Sequence, residues 1–575
     1  MRTAYVGFVL LGFALLVGCG RAPPTAPPSV PKSTPEASAG TAQMPPGPAT
    51  LADWAKGAQL FDGLGEFHRP IATKSPEAQR YFDQGMRFLW AFNHDESTRS
   101  FARAAELDSQ CAVCLWGVAL TVGPNYNLPM MAEPRAKVAW DALQRAQQLT
   151  THASPVEKAL VEALGKRYRG PNALDPSNEQ PVFEDYANAM RAVAHQYPDD
   201  LDVQTLFAES LMNLSAWKLW DRSGKPAAGT DEILTTLENV MRRDPHHPGA
   251  NHYYIHAVES SPHPERALAA AARLGPLMPA AGHLVHMPAH ILQRVGQYEA
   301  AAQANRDASL ADAAYLSKTQ PLDYYPMYVA HNYSFLAYAT AMEGRRAETL
   351  LATRKLSDAF PQSMMLMMPG TDWYGAARYL AYVRFGLWDE MLGEPAPDEK
   401  LRALTGGYLF GRTLALAAKG RVEQAKQELA ALERLATGVA PDSGAGLNLA
   451  KDVLAVAVTI GQARVAASEG RSDDAVRLLT EAVAKEDALS YDEPADWFFP
   501  VRHLLGAELL SIRRPAEAER VFRDDLARNP ENGWALKGLS EALRALGKSA
   551  EAQALGDRIE RAWRNADVVV DSSAL

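Results

Sequence analysis

The sequence predicts an all-α protein, an α-solenoid of antiparallel helical hairpins with irregular inserts. Three observations predict it. His252 and His256 recur at the same spacing as His286 and His290, 34 residues later (286 − 252 = 34; 290 − 256 = 34), and self-similarity at such an interval marks a stacked helical repeat. From Leu51 onward, about 520 residues rich in Ala, Leu, Glu and Arg carry apolar residues at helical spacing. Only residues 66–73 read as a candidate strand.

The elements follow in chain order. Arg2 precedes an apolar run, Ala4 to Val17, that is too short to span a bilayer and ends in Leu16-Val17-Gly18-Cys19. This resembles a bacterial lipoprotein signal with its lipobox, which implies removal of residues 1–18 and lipidation of Cys19; the alternative is an ordinary secretory signal with a chance cysteine. Gly20 stands where an aspartate would favour inner-membrane retention. The expected location is therefore the bacterial cell envelope, lipid-anchored in the outer membrane and facing the periplasm, with no other membrane contact. Between Gly20 and Thr50 lie nine prolines and no aromatic residue. Such a chain buries nothing and stays extended at about 3.1 Å per residue, so residues 19–52 read as a tether.

The unit from Ala78 to Cys111 shows the repeat in full. Tyr81, Gly85, Phe88, Ser97, Phe101, Ala104 and Ser109 fill its positions 4, 8, 11, 20, 24, 27 and 32, the large, small and helix-breaking positions of a tetratricopeptide repeat (TPR). Small residues belong where two helices cross, because any side chain beyond a methyl forces the backbones apart. Between about 125 and 240 the pattern weakens, and long loops are expected around 170–181 and 223–229. Asp244-Pro245 opens the helix of His252, and Gly296, Ala301 and Ala308 mark the unit of His286. Gly420, Gly470, Gly506 and the junction Asn529-Pro530-Glu531-Asn532-Gly533 mark later units. The expected organisation is 53–395 as an N-terminal TPR-like domain with the histidine cluster, 396–565 as C-terminal TPR repeats, and 566–575 as a tail.

A net charge of −10 is mild for 575 residues, and no Lys/Arg stripe with interleaved aromatics occurs, so nucleic acid is not an expected partner. With Cys19 lipidated, Cys111 and Cys114 remain in an oxidising compartment. A disulfide across one helical turn is the first reading of this CxxC, thiolate metal ligation the second and a redox pair the third.

Nine of the 14 histidines fall between His246 and His331. At 100° per residue, positions 2, 5 and 9 of a repeat form a stripe separate from the packed one. His252 and His256 occupy positions 5 and 9, as do His286 and His290, with His283 at position 2. Helix axes lie about 8 to 10 Å apart, so imidazoles from adjacent helices can meet at one zinc or copper ion with ~2.0 Å bonds. His331 is placed to cap the site from the following helix, and His283 or His331 can replace one of the four. Glu259, one turn beyond His256, is a candidate ligand, acceptor behind a ligand, or general base if the protein is an enzyme. Pro288 forbids a normal helical turn unless a helix begins nearby, which would set His286 on the approach to the helix instead of its face. The plainer reading makes this stripe a groove surface with an aromatic lining suited to a peptide.

Asn251, Tyr253, Trp116, Asn125, Asn127, Asn332 and His94 are further groove candidates. The segments FNHDES, CAVCLWGVALTVGPNYN, NHYYIHAVESSPHPERA, GHLVHMPAHI and HNYSFL resemble a His-rich family of exported bacterial TPR lipoproteins, over roughly residues 60 to 390. The resemblance implies a right-handed superhelix whose second stripe lines a concave groove, and it implies no reaction. Two functions follow as expectations. The first is an envelope scaffold that binds a protein or peptide partner in its groove, with a histidine cluster able to hold a metal. The second is a metal-dependent enzyme or metal carrier using His252, His256, His286 and His290.

Overall fold

Helices Pro76–Trp90 and His94–Leu107 form the first hairpin, and Ala112–Thr121 packs against the second of them. Phe101 enters between Gly85 and Gly117, where a Cβ at either glycine would stand 2.5 Å from its ring. Only a bare Cα lets the three helices close. The same contact returns near the other end of the chain. Phe522 of helix Pro515–Arg528 enters between Gly506 and Gly538, where a Cβ would stand 2.2 Å away. In both cases the glycines lie 16 residues before and after the phenylalanine (101 − 85 = 117 − 101 = 16; 522 − 506 = 538 − 522 = 16).

The computed structural model describes residues 47–129, 133–175, 178–319, 325–569 and 572–574. Residues 1–18, Cys19 and the tether up to residue 46 lie outside the described residues. The remainder is all-α, a TPR-type α-solenoid of antiparallel helical hairpins with irregular inserts. Among the described residues no helix is long and apolar enough to cross a membrane.

Local chemistry fixes many helix starts. Ser75 Oγ accepts the Ala78 amide ahead of Pro76 at the first helical position, Ser154 and Glu157 form a capping box, and Asn532 caps the helix that begins at Gly533. His247 caps helix Pro248–Val258 through Nδ1, 3.1 Å from the Ala250 amide, while its Nε2 lies 3.0 Å from Asp202 Oδ1.

Two large hydrophobic cores run in sequence, one from Trp54 to Ile291 and one from Ala289 to Leu555. They meet on helix Pro288–Arg294, so the seam falls where the histidines are densest.

Residues 66–73 are not a strand. The amides of Arg69, Ile71 and Ala72 are taken by the side chains of Asp83, Gln79 and Glu157, and the Phe67 carbonyl by Arg87. With side chains satisfying its backbone, the segment needs no partner strand. Among the described residues, β structure is limited to a two-residue ladder, Gly444–Ala445 with Asn448–Leu449, and two isolated bridges.

Candidate metal centre

Helix Pro248–Val258 carries His252 and His256, helix Gly282–His286 carries His283 and His286, helix Pro288–Arg294 carries His290, and helix Tyr325–Met342 carries His331. Pro288 does break the helix. It ends one short helix just past His286 and starts the next at its first position, and His286 and His290, four residues apart, still face each other.

The first five histidines are buried and His331 is partly so. Their ligand atoms fall into groups within 4.8 Å of one another: His252, His256 and His283; His286, His290 and His331; and Glu259, His290 and Glu493. The pairs expected to share one ion are thus divided, His252 and His256 with His283, His286 and His290 with His331. One turn of helix separates the members of each pair, and a third histidine joins each pair, while the His256 and His290 rings still stand 5.7 Å apart.

Two hydrogen bonds orient the rings. His252 Nδ1 lies 2.6 Å from the Trp90 carbonyl and His286 Nδ1 2.7 Å from Asn305 Oδ1, so each Nδ1–H donates outward. That leaves an unprotonated Nε2 on each, 3.1 Å from His283 Nε2 and 2.7 Å from His290 Nε2. His256 Nδ1 faces Glu259 Oε1 at 3.1 Å, and neither His256 Nε2 nor His283 Nδ1 has a hydrogen-bond partner.

Burial, aided by neighbouring imidazoles, pulls His252, His256, His283, His286 and His331 well below the usual histidine range. They are therefore neutral, the state a metal requires. His290 goes the other way, to about 10: burial opposes its charge, but Glu493 and Glu259 overcome it. Burial raises both carboxyls.

Aromatic rings wall the cage. Phe92 contacts His94, His252, His256 and His283 at centroid distances of 5.4, 4.4, 5.6 and 5.8 Å, and Trp217 packs edge-on against His256 at 5.5 Å. Phe92 and Trp217 have φ of 53° and 61°, the left-handed region that bulky residues avoid. Such strain persists only where the surroundings impose it. Both strained rings sit against the histidines.

The groove candidates are packed into the body. Asn251 ties Pro245, His247 and Arg273 together, Asn125 caps the turn to Asn127 and Leu128, and Asn127 donates to Tyr328 Oη. Asn332 donates to Asp312 and buried His94 donates from Nδ1 to the Phe92 carbonyl. Tyr253 stacks on Phe92, and Trp116 lies in the core. Inserted segments fill the space that the repeat pattern leaves for a groove, as Tyr126 and Trp217 against His256 show. Cys111 and Cys114 are joined as a disulfide at the start of helix Ala112–Thr121.

Glu493, Phe92, Trp217 and Asn305 escape the repeat pattern. Glu493 lies in the connection after helix Ser472–Asp487, held by Asn448, which donates to Asp496 Oδ2 at 2.7 Å and accepts the Ser490 amide at 2.7 Å. A run of acids in Tyr491-Asp492-Glu493-Pro494-Ala495-Asp496 is the one signal that sets that connection apart from its counterparts.

No family model matches the chain, and no curated protein matches it. Among solved structures, the APC/C hetero-tetramer Cut9-Hcn1 aligns over 89% of this chain and 81% of that chain at 13% identity, with a TM-score of 0.32. The human IFIT1 dimer with m7Gppp-AAAA aligns over 80% and 90% at 13% identity, with a TM-score of 0.33. No ligand or partner is carried over from either.

Proposed function

We propose that this protein holds transition-metal ions, zinc or copper, in its buried histidine cluster, within the cell envelope and anchored there by a lipid on Cys19. The observation that carries this reading is the orientation of His252 and His286. Each gives its proton to an outer acceptor and turns a bare Nε2 toward another imidazole nitrogen, 3.1 and 2.7 Å away. Without an ion, an N–H of the partner ring fills each gap; a metal would take the place of that proton, since ligands on one tetrahedral ion with ~2.0 Å bonds stand about 3.3 Å apart. Imidazole suits zinc and copper.

A metal carrier fits better than an enzyme. The cleft that reaches His283, lined also by Phe88, Tyr325 and Tyr328, offers about 10 Å3, room for one water. Glu259 serves as a ligand in this reading, with no general-base role.

Elemental analysis of untagged full-length protein tests it. Stoichiometric zinc or copper that is lost in a His252→Ala/His290→Ala variant is the expected result, and folded, metal-free wild-type protein overturns it. The anchor is tested by Cys19→Ser, which should move the protein from the membrane to the soluble fraction.

A scaffold that binds a protein or peptide partner in the envelope is the second reading. It is favoured by Leu310 and Leu351, 70% and 50% exposed on helices joined by the Arg306–Glu348 ion pair. A partner captured by wild type and lost with Leu310→Glu/Leu351→Glu supports it.

A further inference from the structure

Among the histidines of this cluster, His290 is the one that belongs to two of the three ligand groups. Its Nε2 lies 2.7 Å from His286 Nε2, in the group that His331 completes. Its Nδ1 lies 2.8 Å from Glu259 Oε2 and beside Glu493 Oε2. A histidine that simply paired with a carboxylate would donate to it in line. Here two carboxylates, through Glu259 Oε2 and Glu493 Oε2, pair with the one Nδ1, one acceptor more than a single N–H serves, so the three side chains converge on a point. The nearby guanidinium does not claim the carboxylates either: Arg294 donates to the main-chain carbonyls of Glu259 and Ser261 and lies over the Tyr491 ring at 5.1 Å.

We propose that His290 is a bridging imidazolate between two metal ions, one held by its Nε2 with His286 and His331, the other by its Nδ1 with Glu259 and Glu493. This rests on the metal-binding reading above. The mixed donor set follows the geometry: the first position is all nitrogen, whereas the second adds two carboxylates whose negative charge offsets the second dication. Filling both positions expels both ring protons of the charged His290 to solvent, one nitrogen–metal bond replacing each N–H. The bridge also explains why a residue from the far connection is drawn to this ring. Glu493 completes a position that Glu259 and His290 leave one ligand short.

The test uses untagged full-length protein, stripped with a chelator and loaded with Cu(II) alone. Bound copper is counted by elemental analysis and unpaired spins by electron paramagnetic resonance at liquid-helium temperature. Two Cu(II) ions joined through one imidazolate couple antiferromagnetically, so the expected result is a spin count lower than the copper count by two. In His290→Gln, every copper still bound should contribute one spin. Equal spins and coppers in the wild type overturn the bridge while leaving the metal-binding reading intact. Folded wild-type protein that retains no copper overturns both. Because the wild-type count decides by itself, a variant that fails to fold does not rescue the proposal.

Discussion

His290, on helix Pro288–Arg294, pairs with Glu493, 203 residues further along the chain (493 − 290 = 203), and both side chains are buried. The contact joins the seam between the two hydrophobic cores to a connection late in the second. That connection is fastened at its other side by Asn448 and by the Trp373 indole, which donates to the Asp496 carbonyl at 2.6 Å. The position of Glu493 thus depends on contacts remote from the histidines.

Asn448→Ala removes three hydrogen bonds that hold the connection, two to Ser490 and one to Asp496. Leaving their buried partners unpaired is expected to cost about 1–3 kcal/mol. Metal affinity, measured by competition with a chromophoric chelator, should drop roughly 10- to 100-fold as Glu493 loosens. Unchanged affinity in the folded variant would show that the connection is not part of the centre.

Phe92 tests the strained cage. Phe92→Ala removes the ring that packs on four histidines and is expected to destabilise by about 3–5 kcal/mol. Phe92→Gly loses the same ring but relieves the left-handed backbone, so it should be more stable than the alanine variant by about 1 kcal/mol. Denaturant midpoints of the two variants compare them; an alanine variant as stable as the glycine one would remove the strain argument.

Acid should weaken the metal-free fold through His94. Burial lowers this histidine to about 3 from 6.5, so below pH 6.5 the unfolded chain takes up a proton that the folded one refuses. The contribution is fully present above pH 6.5 and is lost as pH falls toward 3, with a slope approaching about 1.4 kcal/mol per pH unit. Denaturation at a series of pH values should show a shallower slope for His94→Gln than for wild type, and equal slopes would contradict the assignment.

The repeat contact makes a steric prediction. Gly117→Ala places a methyl 2.5 Å from the Phe101 ring and is expected to cost about 1–3 kcal/mol. Combining it with Phe101→Leu should give a loss smaller than the two single losses summed. Additive losses would mean the glycine is needed for its backbone alone.

The fold was legible because it is written in local periodicity. Gly85 and Phe101 define the same ruler as Gly506 and Phe522, each pair 16 residues apart across one hairpin. The histidine cluster was legible for the same reason, since four of its members sit at equivalent places in consecutive units. The groove was not. Asn251, Asn125 and His94, expected to face a groove, are buried, and no repeat position encodes where an insertion will fold.

By itself, the sequence determined the hairpins, their stacking order and the convergence of imidazoles near residues 252 to 290, because helical spacing and close-packed small residues act over a few turns. Only the tertiary structure decided how those imidazoles are grouped, that His290 faces Glu259 and Glu493 together, and that Phe92 and Trp217 close the cage. Those relations depend on how the helices around Pro288 pack and on where a distant connection comes to rest. Both are settled by packing between segments far apart in the chain, which no local pattern records.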